Sequence, residues 1–105
     1  SNRVFFVLIP DEFQVNDVLY QAVLETKDDP SAYQRYYPQE RISDYFQRND
    51  IHYLDLLSAL RKHHQVEPTY HLQNTHWNAH GNRVAAGAIT QYVTKKLLPE
   101  NSTAD

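Results

Sequence analysis

The run VFFVLI at residues 4–9 decides the fold class of this chain. It is continuously apolar, rich in β-branched and aromatic side chains, and it ends at Pro10. Runs without polar alternation are typical of strands buried on both faces of a parallel sheet. The run IHYLDL at residues 51–56 predicts a second strand. Helical segments, not a hairpin turn, connect the two runs, so we expect parallel strands and an α/β fold.

Four segments have apolar residues at helical spacing, which predicts four helices. They lie between Val15 and Thr26, from Pro38 to a stop at Asn49–Asp50, over LSALRKHH at residues 57–64, and from Asn78 to about Leu97. Residues 1–98 are therefore expected to fold together, and the polar segment 99–105 is expected to be a frayed tail.

Two predicted strands are too few for an independent sheet, since about three or more strands are normally required. We therefore expect residues 1–98 to be the C-terminal part of a larger α/β domain. The missing N-terminal half would supply the neighbouring strands. The alternative is that two copies of the chain complete each other's sheet.

The composition is that of a folded chain, and it excludes several classes of function. Of 105 residues, 41% are hydrophobic and 12% aromatic, with only two glycines, which is unlike a disordered or collagen-like chain. The net charge of −3 provides no basic surface for nucleic acid. No apolar run approaches the roughly 18 to 20 residues of a membrane span. The absence of cysteine excludes disulfides, thiol catalysis and cysteine zinc sites, and leaves the compartment open.

The segment THWNAHGN, residues 75–82, places a histidine just before the last predicted helix. In open α/β sheets the functional residues gather beyond the carboxyl ends of the strands. Asn78 is a favourable N-cap, and a helix N-terminus disfavours imidazolium. His76 is therefore expected to be neutral and able to accept a proton from a serine hydroxyl. On spacing alone, a structural histidine that only hydrogen-bonds the backbone is the commoner case.

The wider pattern around His76 resembles the C-terminal portion of the SGNH (GDSL-type) hydrolases. In that family a block of the type Asp-x-His-Trp-Asn-x-x-Gly, or Asp-x-x-His, precedes a last helix that has a face of small residues. His76, Trp77, Asn78 and Gly81 match this block as they stand. The resemblance runs from about residue 4 to residue 97. It implies a three-layer α/β/α, flavodoxin-like fold with parallel strands, and His76 as the base of a Ser-His-Asp arrangement.

Two features depart from the family pattern. The Gly-Asp-Ser nucleophile motif, which the resemblance places in the N-terminal half, has no match, and Ser31, Ser43 and Ser58 lack its context. The expected aspartate is also absent, since Asn74 stands two residues before His76 and Gln73 stands three before it. An amide can orient the imidazole but has no negative charge to stabilise imidazolium. The analogous change in a serine-protease triad costs roughly 10⁴-fold in turnover.

Other polar residues near the predicted strand ends have simpler interpretations. His71, His76 and His80 suggest a metal site, but one loop seldom supplies enough ligands, and we expect no metal. Asp55 is expected to cap the helix that follows it. Asp11 and Glu12 are expected to be solvated loop carboxylates.

Aromatic residues are the remaining candidates for substrate contact. Trp77 is expected to pack and fix the loop, and is also the candidate to line an acyl or sugar pocket. Three tyrosines either bind carbohydrate or cover the sheet: Tyr33, Tyr36 and Tyr37.

The resemblance implies that the parent protein cleaves or transfers an acyl ester, often acetyl, with a small molecule or a carbohydrate as substrate. His76 would act as general base and then general acid, Asn74 would orient it, and no metal or organic cofactor is required. The chain by itself is expected to be inactive, because the nucleophile is missing. The alternative is a non-catalytic α/β binding or interaction module that keeps the scaffold, and an upstream Gly-Asp-Ser would favour the enzyme. Hydrolase and transferase stay equally open, because water and a sugar hydroxyl can use the same base.

Overall fold

Two short parallel strands form the middle of the fold. The computed structural model describes residues 4–97, so the predicted tail at 99–105 lies outside the described residues. Strand β1 (Phe6–Leu8) pairs in parallel with strand β2 (Tyr53–Asp55), and Phe6 lies opposite Tyr53. Both strands lie within the predicted apolar runs and are shorter than them, and the predicted parallel pairing is confirmed.

Helices occupy all four of the segments predicted from periodicity. The helices are α1 (Glu12–Val15), α2 (Asp17–Leu24), α3 (Tyr37–Arg48), α4 (Leu57–His64) and α5 (Ala79–Tyr92), with a 3₁₀ turn at Pro30–Ala32 and a π-helical turn at Val93–Leu97. Within residues 4–97 each helix is too short or too polar to cross a membrane.

The first predicted helix is wrong in one respect, because it is divided at Asn16. The Asn16 backbone is extended, and its N–H donates to the carbonyl of Glu12, which ends α1. Its side-chain oxygen accepts the N–H of Leu19 at 3.1 Å, which begins α2. Asn16 ends one helix and caps the next, but the apolar spacing continues across it. Periodicity alone therefore did not reveal the break.

Helices lie against both faces of the two strands, in the three-layer arrangement. On one face α3 packs through Phe46, whose ring centroid lies 5.2 Å from that of Phe6 and 5.3 Å from that of Tyr53. On the other face α4 and α5 enclose the core with Val7 and Leu54 against it. Among the described residues, the buried apolar side chains are Val15, Leu56, Leu60, Tyr70 and Ala85.

The sheet is left open, and the expectation that the first apolar run is buried on both faces is wrong for this chain. Val4 is 69% exposed, Phe6 49% and Ile9 61%. The reason is physical: among the described residues β1 has one paired neighbour, β2. The radius of gyration, 16.2 Å, also exceeds the value of about 13 Å expected for a compact domain of about 100 residues.

The entry to α5 is a closely packed junction. The Asn78 side-chain oxygen accepts the N–H of Gly81 at 2.8 Å, which confirms Asn78 as the N-cap. The backbone N–H of Asn78 donates to the carbonyl of Thr69 at 3.0 Å, and its side-chain amide donates to the carbonyl of Pro68 at 2.9 Å. The loop before the helix and the first turn of the helix are therefore fixed to each other.

Gly81 allows this close approach because it has no side chain. An added Cβ would lie 2.0 Å from the carbonyl oxygen of Thr69 and 3.0 Å from the Cβ of Trp77. We expect Gly81→Ala to lower the free energy of unfolding by about 1–3 kcal/mol, because the backbone must move to admit the methyl group.

Gly87 is the matched control on the same helix, since an added Cβ there meets nothing within 4 Å. Gly87→Ala is expected to raise the free energy of unfolding by about 0.5–1 kcal/mol, because alanine is the better helix former. Urea unfolding of both variants, followed by circular dichroism, measures the difference. Equal effects of the two substitutions would contradict the proposed packing of the junction.

Candidate active site around His76

His76 and Asn74 form a hydrogen-bonded pair in the loop before α5. The Nδ1 atom of His76 lies 2.6 Å from the side-chain oxygen of Asn74 and 3.0 Å from its backbone carbonyl oxygen. A backbone carbonyl only accepts hydrogen bonds, so Nδ1 must carry the proton. In the neutral ring Nε2 then keeps its lone pair, which is the form of imidazole that a general base requires. The structure thus brings together the two residues that the sequence predicts as a pair.

A small antiparallel bridge closes the loop that contains His76. Tyr70 and Trp77 form the bridge, and the N–H of His71 donates to the carbonyl of His76 at 2.9 Å. The Tyr70 hydroxyl donates to the carbonyl of Pro10 at 2.7 Å. Because Pro10 lies two residues beyond Leu8, the last residue of β1, the loop lies near the carboxyl end of that strand, where α/β folds place their functional residues.

Burial makes the hydroxyl of the same tyrosine a weaker acid. It raises the pKa of Tyr70 to about 12, so the hydroxyl remains a hydrogen-bond donor at alkaline pH, where an exposed tyrosine would ionise.

Glu12 fixes the loop by accepting three of its backbone hydrogen bonds. Its carboxyl oxygens accept the N–H of Gln73 at 2.8 Å, of Asn74 at 2.9 Å and of Thr75 at 3.0 Å. The side chain is buried, with 1% of the residue exposed. The expectation of a solvated loop carboxylate is therefore wrong for Glu12. The reason is that an ionised carboxylate offers only acceptors, which these consecutive donors satisfy away from water.

The loop is held in a backbone conformation that its own residues disfavour. Gln73 has φ 54° and Thr75 has φ 63°, both in the left-handed region. This region is unfavourable for residues with a Cβ, above all for a β-branched residue such as threonine. The surrounding structure must compensate for this strain, and the hydrogen bonds to Glu12 do so directly.

Glu12 in turn lies on α1, a helix of one turn that neighbouring residues hold in place. An isolated turn of this length is unstable in water. Asp11 and Gln14 form a capping box at its start. At its end, Arg35 donates to the carbonyl of Phe13 at 3.2 Å and Arg61 to that of Gln14 at 3.2 Å. These contacts fix the helix, and with it the carboxylate that anchors the His76 loop.

The two arginines are themselves ordered by a shared carboxylate. Asp17 lies 2.8 Å from Arg35 and 3.0 Å from Arg61. The hydrogen bond from Arg35, followed by that from Arg61, lowers the pKa of the Asp17 carboxyl. Arg35 also lies over the ring of Tyr20, 4.3 Å from its centroid.

Trp77 is half-buried and packs against the core. Its indole nitrogen is buried and has no hydrogen-bond partner among the residues that the structure describes. This position agrees with the expected role of fixing the loop, and a contact of Trp77 with substrate stays a prediction.

The remaining candidates are distributed over other parts of the molecule. Asp55 accepts the N–H of Leu57, the first residue of α4, at 3.0 Å, although the N-cap position itself is occupied by Leu56. Ser31 donates to Asp29 in an exposed turn, while Ser43 and Ser58 lie on α3 and α4. Within residues 4–97 no three side chains of His, Cys, Asp and Glu come together as metal ligands would.

Two of the loop tyrosines border an open cavity of about 500 Å³. Tyr33 and Tyr37 line it together with Phe13, the neighbour of Glu12 on α1. Tyr36 instead lies beside the guanidinium groups of Arg35 and Arg61. Aromatic faces of this kind suit the stacking of a sugar ring, and carbohydrate recognition stays a prediction.

His64 supports the loop from the end of α4. Its Nδ1 atom accepts the N–H of Thr69 at 3.0 Å and lies 2.9 Å from the Thr69 hydroxyl. Thr69 is fully buried, and its carbonyl receives the N–H of Asn78. Burial lowers the pKa of His64 from its ordinary value of 6.5, because desolvation disfavours imidazolium.

Comparison with known proteins identifies one family. The family model described as "SGNH hydrolase-like domain, acetyltransferase AlgX" matches residues 3–105. No curated protein and no solved structure matches the chain significantly.

We expect acid to weaken the fold through His64. Between the lowered pKa of the folded state and 6.5, the unfolded chain binds more protons than the folded one, so stability is lost as the pH falls through this window. His64→Asn should weaken the dependence of stability on pH in this window, because the amide oxygen replaces Nδ1 as an acceptor and does not titrate.

Urea midpoints measured between about pH 8 and pH 5 test this expectation, since the window lies below the ordinary histidine pKa. His52→Asn is the control, because His52 is exposed. If the unsubstituted chain and His64→Asn lose stability in parallel, His64 is not the group responsible.

Proposed function

The chain belongs to the family of SGNH hydrolase-like domains described for the acetyltransferase AlgX, and from that membership we propose that it provides the histidine base of an O-acyl transfer or ester hydrolysis site. The observation that supports this most directly is the pair formed by His76 and Asn74, with Nδ1 of the imidazole 2.6 Å from the amide oxygen. The pair stands near the carboxyl end of β1, at the entrance to α5.

In the proposed mechanism, Nε2 of His76 takes the proton from a serine hydroxyl as the serine oxygen attacks the ester carbonyl. The imidazolium then donates that proton to the leaving alkoxide, and an acyl-enzyme remains. In the second half, Nε2 takes a proton from water or from an acceptor hydroxyl, which attacks the acyl group. His76 finally returns the proton to the serine oxygen.

The nucleophilic serine is proposed to come from a part of the protein outside residues 4–97. The open sheet supports this proposal, because among the described residues β1 pairs only with β2. Further elements of a complete α/β domain would pair with the free edge and cover the exposed apolar residues Val4, Phe6 and Ile9. The chain by itself is then inactive as a hydrolase. A second copy that completes the sheet is the alternative for the same surface.

Asn74 determines how strong a base His76 is. Its two oxygens orient the imidazole and stabilise the Nδ1 proton, but an amide supplies no full negative charge to the imidazolium. This substitution is the specific observation that favours a second candidate function, a non-catalytic binding module on the same scaffold. The two functions differ in whether His76 is needed for turnover.

His76→Ala in the protein that carries this chain is expected to lower kcat by about 10²–10⁴-fold, the usual contribution of a general base. Release of acetate from p-nitrophenyl acetate and from an acetylated sugar measures the effect. His52→Ala is the control, since His52 is exposed and belongs to a different segment. Activity within about threefold of the unsubstituted protein in both variants would rule out His76 as the base.

Asn74→Asp is expected to raise kcat, by about 10²-fold or more, because a carboxylate stabilises imidazolium where the amide cannot. Asn82→Asp places the same new charge on the exposed first turn of α5 and should leave kcat unchanged. Turnover of the same esters distinguishes the two variants. If Asn74→Asp shows no gain while His76→Ala shows no loss, the binding module is the better account.

A further inference from the structure

Glu12 and His76 are connected through a single peptide unit, the one that joins Asn74 to Thr75. On one side, the N–H of Thr75 donates to Glu12 Oε1 at 3.0 Å. On the other, the carbonyl oxygen of Asn74 accepts the proton of His76 Nδ1 at 3.0 Å. The peptide is not cis, so its N–H and C=O point in opposite directions. A continuous chain of hydrogen bonds therefore runs from the carboxylate to the imidazole.

We propose that Glu12 is a positioning residue for His76, and that it acts through this peptide as a replacement for the carboxylate that position 74 lacks. The proposal rests on the proposed function for its catalytic consequence. Glu12 fixes the direction of the Asn74 carbonyl, and its charge polarises the peptide so that the carbonyl oxygen is a stronger acceptor.

The geometry of the loop explains why a carboxylate is needed rather than an apolar residue. The N–H groups of Gln73, Asn74 and Thr75 converge on the two oxygens of Glu12. In an apolar environment these donors would stay unsatisfied, at a cost for each. Two of these three residues are in the left-handed region. Without the carboxylate, the segment would relax from this conformation and turn the Asn74 carbonyl away from His76.

The proposal also explains why Glu12 is buried without a basic partner among its hydrogen bonds. Its described donors are all backbone N–H groups of the loop that presents His76. A carboxylate with a merely structural role at a helix start would bind its own helix, as Asp11 does by accepting the N–H of Glu12 at 2.7 Å. The carboxylate of Glu12 instead binds Gln73, Asn74 and Thr75, which lie 61, 62 and 63 positions further along the chain.

Glu12→Gln in the protein that carries this chain is the test, because glutamine keeps the shape, removes the charge and turns an N–H₂ group toward one loop donor. We expect kcat to fall by about 10–100-fold with KM within about threefold, the pattern of a displaced catalytic group. Glu25→Gln removes an exposed carboxylate at the end of α2 and should change neither constant. An unchanged kcat in a folded Glu12→Gln variant overturns the proposal.

A second measurement does not depend on whether the variant folds. Amide hydrogen exchange of the unsubstituted protein should show Asn74 and Thr75 protected although both residues are exposed, because their N–H groups are bound to buried oxygens. Rapid exchange of both amides overturns the proposal even if Glu12→Gln is unfolded. A failure of the proposed function can be distinguished from a failure of this proposal. If the proposed function is wrong, His76→Ala leaves turnover unchanged, whether or not the amides of Asn74 and Thr75 are protected.

Discussion

Three consecutive backbone N–H groups point inward at one buried carboxylate, and the presentation of His76 depends on that arrangement. Glu12 can accept them because α1 is fixed by a capping box and by two arginines that bind its last carbonyls. The loop then keeps a conformation that Gln73 and Thr75 would not adopt unaided. Local propensity is unfavourable at this point, and non-local hydrogen bonds decide the structure.

A second constraint acts from the helix that follows the loop. Asn78 binds the backbone on both sides of the junction, and Gly81 lets the first turn of α5 approach Thr69. The loop that carries His76 is thus held between Glu12 on α1 and the close-packed start of α5. The sheet that supports both has two strands among the described residues, which is fewer than such a layered fold normally uses.

The sequence was a good guide to elements governed by local patterns and a poor one to long-range contacts. Apolar runs and periodicity predicted both strands and the four helical segments, and Asn78 was identifiable as a cap from its type and place. The burial of Glu12 was not predictable, because its partners lie 61 to 63 residues away and are backbone groups that any sequence would offer. The left-handed conformation of Thr75 was equally unpredictable from the sequence, since threonine disfavours that conformation.

The protonation of the His76 ring tests the central claim most directly, because a proton on Nδ1 both binds the two Asn74 oxygens and leaves Nε2 free to act as the base. Long-range ¹H–¹⁵N spectra of the histidine side chains at neutral pH, assigned with a His76→Gln variant, report which nitrogen carries the proton. The account predicts that Nδ1 is protonated and Nε2 is not, because both oxygens of Asn74 face Nδ1. A ring protonated at Nε2, or one that averages between the two tautomers, would contradict it.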